Sequence, residues 1–260
     1  MDNEANLDST KIVVRQISKS IAKDLIIKNH YTHKWTLCKI AYGVFYKNNI
    51  ENRFVDGDNE TLIGACIYGH PVGRSAAESF SEFIKINQVF ELTRLWIEDF
   101  RGKNIESYVI SQTFKLIKKG FPHIKIILSY ADPSQTHVGR IYQALNFIFL
   151  GLNSITNLMP NYSISLKGPP NYDWLHSRTV FSMFGSHNVN HLKEKIGHTF
   201  YRKKESGKYK YIYILCDKIE KKKILNTLKP KVFSYPKKHE YTEEIEEIKI
   251  ETIKENTFFT

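Results

Sequence analysis

Apolar and polar residues alternate in a few short runs and follow helical spacing in a few longer ones, and the two patterns take turns along the chain. "KIVVRQIS" (11–18) alternates as a half-buried strand does, and Ser18 stands where it can cap the amphipathic run "KSIAKDLIIKNHY" that follows. "TLCKIAYGVFYKN" and "TLIGACIYGHPV" read as paired strands joined across the turn-rich "NNIENRFVDGDNE". "FELTRLWIED" is strand-like. "KNIESYVISQTFKLIKKG" has the apolar spacing of a helix and stops at Gly120, a residue suited to a helix C-terminus. "HIKIILSYADP" is continuously apolar, which predicts a strand inside a sheet with both faces covered. A polar loop, a short helix and the apolar "NFIFLG" complete "SYADPSQTHVGRIYQALNFIFLG" (129–151). The order β-α-β-β-β-α-β-α-β over residues 11–151 predicts a mixed α/β (α+β) fold.

Beyond the connector "KGPPNYDWLHSRT", the pattern gives a helix ("NHLKEKIG"), a strand ("KYKYIYILCDK"), a helix ("IEKKKILNTLK") and the exit "YPKK". Charge changes the picture here. The net charge is +11, and residues 190–238 hold 15 Lys/Arg against 4 Asp/Glu, whereas residues 239–260 hold 2 against 7. Tyr and Phe interleave with Lys in the basic block, a composition suited to phosphate contacts with adjacent stacking, so a nucleic acid is the expected partner. Its candidate contacts are Lys203, Lys204, Lys208 and Lys210. Just upstream, Trp174 could stack, Ser177 could hydrogen-bond a backbone and Arg178 could hold a phosphate. The expected organisation is a catalytic core at 8–165, a basic extension at 166–238 and a loosely attached acidic tail at 239–260, in which "EEIKIETI" could add an edge strand.

At 260 residues and 42% hydrophobic content, the chain can bury a sizeable core. No apolar run approaches the ~18 residues of a membrane span. The polar start "MDNEANLDST" is unlike a secretory signal, so a cytoplasmic protein is expected. Cys38, Cys66 and Cys216 lack metal-type spacing and read as free thiols.

The element order resembles the GNAT acyltransferase fold, in which a central strand splays from its neighbour and leaves a gap for a thioester cofactor. "ELTRLWIEDFRGKNIESYVI" occupies the place of that family's cofactor-binding strand, loop and helix, which cradles a pyrophosphate on backbone N–H groups. Arg101, Gly102 and Lys103 fit the loop, while Asn104 and Glu106 stand where the family has glycines. The resemblance therefore implies acetyl-CoA or a related thioester, with Asn104 able to take a left-handed backbone and Glu106 opposing a phosphate.

A closer resemblance runs from "NHYTHKW" to "YPKK". "FELTRLWI", "SYADPSQTHVGRIYQALNFIFLG", "WLHSRTVFSMFGS" and "KYKYIYILCDKIEKKKILNTLKPKVFSYPKK", in this order, are similar to the Mom family of phage DNA-modification proteins. This resemblance implies conversion of adenine in duplex DNA to its carbamoylmethyl derivative at the exocyclic 6-amino group, hiding phage DNA from restriction. The adenine amine is a weak nucleophile that needs a base, and Asp132 is the first candidate, with Glu91 second. Asp132 could instead simply cap the turn in "ADPSQ". Tyr142 is the candidate acid for a leaving group. Arg94, in an internal strand, is the candidate holder of a substrate or cofactor anion, and pairing it with Glu91 three residues away would require a bulge.

Attack on a thioester carbonyl gives an amide, not a methylene-linked amine, so a redox metal is a further candidate, with His30, His33, His137 and Asp132 as candidate ligands. Two rivals remain open at this level: an ordinary N-acyltransferase acting on a small amine or a protein lysine, and a non-catalytic nucleic-acid-binding module.

Overall fold

The computed structural model describes residues 8–47, 59–71, 80–99, 102–153, 161–238 and 241–250. It contains strands β1 (Ile12–Gln16), β2 (Ile40–Lys47), β3 (Glu60–Gly69), β4 (Val89–Ile97), β5 (Ile126–Ala131), β6 (Ile148–Asn153), β7 (Tyr162–Ser165), β8 (Phe200–Lys204), β9 (Lys208–Ile214) and β10 (Ile245–Ile248). The helices are α1 (Lys19–Asn29), α2 (Ile105–Gly120), α3 (Arg140–Ala144), α4 (Ser177–Phe184), α5 (Val189–Ile196) and α6 (Lys218–Asn226).

Two compact units divide the chain: residues 1–131, 138–151 and 209–237 form the first, and residues 132–137, 152–208 and 238–260 the second. The first is built on a seven-stranded sheet of order β1-β2-β3-β4-β5-β9-β6. β4 and β5 run parallel, while β1–β2, β2–β3, β3–β4 and β5–β9 are antiparallel. The sheet is therefore mixed and its helices lie on both faces, the α/β architecture expected.

Helix spacing explains the packing. In α2 the buried residues Ile105, Val109, Ile110, Thr113, Phe114 and Ile117 recur three and four apart, which places them on one stripe against the sheet. Phe90, Leu92, Ile97 and Ile127 meet that stripe from the strands. On the opposite face Ala22 and Ile26 of α1 pack against Ala41, Ala65 and Ile67, and Ile224 of α6 joins Phe80, Ile84, Ile126 and Ile212. β5 thus sends alternate side chains into both layers, as its unbroken apolar run requires. Ser18 Oγ accepts from Ile21 N–H (3.2 Å) and starts α1.

The boundary at 165/166, drawn from charge, does not coincide with the structural division. β9 comes from the basic block yet lies between β5 and β6 in the main sheet. The strand was expected, but not its place in the main sheet, where it buries Tyr209, Tyr211, Ile212 and Ile214. The second unit has its own three-stranded sheet, β10-β8-β7, and a small core of Ile164, Val180, Leu192 and Phe200. β7, β8 and α4 were not anticipated. The acidic segment supplies β10, antiparallel to β8, which overlaps the expected strand "EEIKIETI" (246–253) at 246–248, while 251–253 lie outside the described residues. Among the described residues no helix is long and apolar enough to cross a membrane.

Candidate active site

β4 and β5 pair at three positions only: Val89 with Ile126, Phe90 with Ile127 and Glu91 with Leu128. β4 then continues to Ile97 while β5 stays with β9. Two parallel strands that part in this way leave backbone N–H and C=O groups without ladder partners along the gap, which is the opening the GNAT-like arrangement implies. On its other edge β4 pairs Arg94 with Ile67 but Leu92 with Tyr68, so Thr93 is an extra residue and forms a bulge. Thr93 Oγ1 donates to the Ile67 carbonyl at 3.1 Å.

The bulge shifts the alternation of β4. Leu92 and Leu95, three apart, both belong to the α2-side core, whereas Trp96 packs on the α1 side. Glu91 and Arg94 are thereby brought to one face, meeting the condition that their spacing set. Burial lowers the pKa of the Arg94 guanidinium, and the charges of Tyr31 and Glu91 oppose that shift. Arg94 Nη1 donates to the Thr93 carbonyl (2.6 Å) and Nε to the Lys34 carbonyl (3.4 Å).

Across the gap β5 presents Ser129 and Tyr130. Burial, and then the charge of Glu91, pushes the Tyr130 phenol up to about 12. Burial pushes Tyr142 up to about 12 as well, with the Ser129 hydroxyl the main group opposing it. Ser129 Oγ is buried beside the Tyr142 phenol and makes no hydrogen bond of normal geometry, as is also true of His187 Nδ1 in the second unit.

Tyr142 is held in place by its short helix. Gly139 starts α3 at φ +75°, and a Cβ there would meet the Tyr211 ring at 2.6 Å, so only glycine lets the turn seat against that ring. Tyr211 Oη donates to the Val138 carbonyl (2.6 Å), and Gln143 Nε2 donates to the same carbonyl (2.9 Å). The rings of Phe147 and Tyr211 lie 5.2 and 5.4 Å from Tyr142.

The loop before α2 has the backbone of an anion cradle. Gly102 (φ +112°) and Asn104 (φ +64°) both take positive φ, and no side chain caps the helix, so its first-turn N–H groups are left for another acceptor. These features fit a phosphate. The carboxylate of Glu106 in the first turn works against one. Lys103 is exposed, and Arg101 lies outside the described residues.

Asp132 belongs to the second unit, and its carboxylate is engaged. Oδ1 accepts from Ser134 N–H (3.0 Å), Ser134 Oγ (2.6 Å) and Ser206 Oγ (3.3 Å), and Oδ2 from Lys208 Nζ (3.1 Å). Desolvation, the largest single influence, raises its pKa. The Ser134 and Lys208 contacts together outweigh it and leave the carboxyl below its ordinary value. The residue caps the turn at Pro133–Gln135.

The metal-ligand set is not assembled. Among the described residues no three His, Cys, Asp or Glu side chains converge on a point. His30 Nδ1 bonds Thr32 Oγ1 (2.9 Å) and His33 Nδ1 bonds the Ile27 carbonyl (2.9 Å), so local turn contacts take up these nitrogens. His137 is exposed and, like Asp132, belongs to the second unit.

The candidate DNA contacts divide. Arg178 is exposed on α4, but Ser177 is buried: its N–H and Oγ donate to the Glu205 carboxylate (2.7 and 2.9 Å), so it offers no group to DNA. Glu205 also accepts from Ser163 Oγ (2.7 Å). Trp174 stacks on Tyr172 (5.0 Å) with Lys203 Nζ 4.3 Å over its ring. Lys203 pairs with Glu243, Lys208 with Asp132, and Lys204 is exposed. Lys210 lies in the first unit, 4.5 Å over the Phe80 ring, and burial lowers its pKa.

Sequence reasoning missed Ser129, Tyr130, Tyr31 and Glu205. The first two stand in the quoted run "SYADP", but only the parting of β4 from β5 gives them a function. Glu205 is the lone acid in "YRKKESGK", a signal that could have been read.

A mixed sheet whose central parallel strands part beside an acid, a guanidinium and two phenols defines an α/β protein of GNAT-like plan. The model of the Mom protein family matches residues 11–237, and the chain belongs to that family. A curated relative, methylcarbamoylase Mom of Escherichia phage Mu, is 26% identical over 235 residues, covering 88% of this chain and 85% of its own. Among solved structures, the spermidine/spermine N-acetyltransferase SpeG of Vibrio cholerae is similar with a TM-score of 0.42, at 8% identity over 82% of this chain and 97% of that one. The NAA60 protein of Arabidopsis thaliana in complex with acetyl-CoA gives 0.39, at 13% identity over 78% and 99%.

Proposed function

We propose that this Mom-family enzyme modifies adenine in duplex DNA, converting the exocyclic 6-amino group to its carbamoylmethyl derivative. The observation that carries the reading is the family match over residues 11–237, and the name of the phage Mu relative, a methylcarbamoylase, accords with it. The target base leaves the stack to reach the gap between β4 and β5, at a cost of a few kcal/mol that cationic contacts to the backbone offset.

The amine's lone pair is delocalised into the purine ring, so a proton must leave as the new bond forms. Glu91 is the proposed base. It stands at the last paired position before the strands part and shares a face of β4 with Arg94, while Asp132 caps the Pro133–Gln135 turn. Tyr142, protonated throughout the neutral range, is the proposed donor to a leaving group. Arg94 holds an anionic or carbonyl oxygen of the incoming group.

A thioester cofactor would supply an activated acyl carbon when bound, with its phosphates held by Gly102, Lys103, Asn104 and the first amides of α2, and with charge from Arg101. The nitrogen–methylene bond of the product is formed by something other than plain acyl transfer.

The test is mass spectrometry of nucleosides from DNA co-expressed with the protein. Carbamoylmethyl-adenine with the wild-type chain and its loss with Glu91→Gln are expected. Unmodified adenine alongside DNA-independent turnover of acetyl-CoA would replace this reading with an ordinary N-acyltransferase. Unmodified adenine with DNA binding but no turnover would leave a non-catalytic binding module.

A further inference from the structure

The net charge of the chain is not where the basic block suggests. The first unit carries 27 Lys/Arg and 16 Asp/Glu, hence all of the +11, while the second carries 11 of each and is neutral. Seven of those eleven acids lie in residues 238–260. Without that segment the second unit would be cationic, with 8 Lys/Arg against 4 Asp/Glu.

The placement of these acids is specific. β10 pairs with β8 in the register Ile245–Lys203, Glu246–Arg202, Glu247–Tyr201 and Ile248–Phe200. Glu246 Oε2 accepts from Arg202 Nε and Nη2 (2.7 and 2.6 Å), Glu243 pairs with Lys203, and Glu247 accepts from Tyr201 Oη (3.2 Å). The groups they engage are those a nucleic-acid strand would use. Alternation along β8 puts Arg202, 4.4 Å over Tyr162, on the core face with Phe200, and Tyr201 and Lys203 on the other face, where Lys203 Nζ lies 4.3 Å over Trp174 and Trp174 stacks on Tyr172: a cation among rings fit for stacking.

The segment is also lightly held. β10 has four residues, Ile245 is 40% exposed, and only Ile248 reaches the unit's core. The side chains of Glu243 and Glu246 are about half exposed, and exposed ion pairs contribute little.

We propose that the surface of Tyr201 and Lys203 with the Tyr172 and Trp174 rings is a DNA-strand-binding surface, and that the carboxylates of Glu243 and Glu247 occupy it as phosphate mimics that DNA must displace. This rests on the DNA substrate proposed above and adds a built-in competitor to it. The competitor favours long polyanions, which displace it at many points, over isolated anions.

The experiment measures anisotropy of a labelled adenine-containing duplex against the full chain and its E243Q/E247Q variant across a salt series. Freeing Lys203 to neutralise a phosphate should steepen the salt slope by about 0.9 and tighten binding about threefold at low salt. Adding K203Q to that variant should cancel the gain. Equal, measurable affinity and slope in wild type and folded variant overturn the inference alone. No binding by either at any salt overturns the DNA reading itself. Should the double variant unfold, E243Q, which lies outside β10 and releases Lys203, should steepen the slope by about 0.9; an unchanged slope overturns the inference.

Discussion

The two units treat their polar side chains in opposite ways. In the second, the Asp132 carboxylate accepts four hydrogen bonds, Glu205 accepts three, and Glu243, Glu246 and Glu247 are paired with β8. In the first, where β4 and β5 part, the buried Ser129 hydroxyl meets the Tyr142 phenol without a hydrogen bond of normal geometry, two phenols are pushed up to about 12, and a guanidinium is half-buried on backbone carbonyls. A frame satisfies its polar groups because leaving one unmade costs ~1–3 kcal/mol. A site leaves them for the substrate. On this contrast the chemistry proposed above falls to the first unit.

The sharpest test exchanges the carboxylate that the contrast favours. Glu91→Gln keeps the shape and removes the base, so the rate of adenine modification should fall by ~10²- to 10⁴-fold, while duplex affinity stays within twofold of wild type. Rates from nucleoside mass spectrometry and affinities from anisotropy decide it. A variant as fast as wild type would break the comparison on the first unit's side.

Glu205 probes the other side. Glu205→Ala strands the Ser177 N–H and the hydroxyls of Ser163 and Ser177 in a unit whose core has only a few large residues. Chemical denaturation should show a loss of about 2 kcal/mol, and Glu205→Gln, which keeps the acceptor oxygen, should lose less. Stability unchanged by the alanine would mean that the network is not a frame.

A third measurement uses the buried tyrosines of the first unit. Burial pushes Tyr42 and Tyr211 from 10 up to about 12. A pKa raised on folding gives stability that is complete below the unfolded value and lost as pH climbs through the folded one. Stability should thus fall between pH 10 and 12, each such phenol contributing about 1.4 kcal/mol per pH unit. Tyr211→Phe should flatten that limb, although it also removes the hydrogen bond to the Val138 carbonyl. An alkaline limb as steep in Tyr211→Phe as in wild type would show that Tyr211 is not sealed from water.

What was legible in the sequence was what local patterns encode. The α2 stripe, the Ser18 cap, the end of α2 at Gly120 and the doubly buried β5 follow from residue spacing. Asn104 proved left-handed because an Asn backbone tolerates that region better than other side chains do. Glu91 and Arg94 were named with the condition they needed, a bulge, but the Thr93 bulge is set by pairing with β3 and no window of β4 reveals it. Charge misled where it outweighed alternation. The lysines of "KYKYIYI" drew β9 into an extension, while its Tyr and Ile positions place it in the main sheet. The histidines of "NHYTH" suggested ligands, yet their ring nitrogens close a turn.

The smallest effect is expected at Asp132, and it is the one that could reverse the assignment of the base. Asn retains an oxygen to accept from the Ser134 N–H and keeps the turn, but loses the charge that faces Lys208. With the folded carboxyl below its ordinary value of 3.8, wild-type stability from this residue is present above that value and lost as pH falls through the lower folded one. Asp132→Asn should therefore cost about 0.5–1 kcal/mol at neutral pH, and the difference from wild type should vanish in acid. The modification rate should stay within a few-fold. A fall of ~10²-fold or more in a folded variant that binds duplex as wild type does would make Asp132 the base. The four donors around its carboxylate would then be what positions a catalytic group, and Glu91 would be left to balance Arg94.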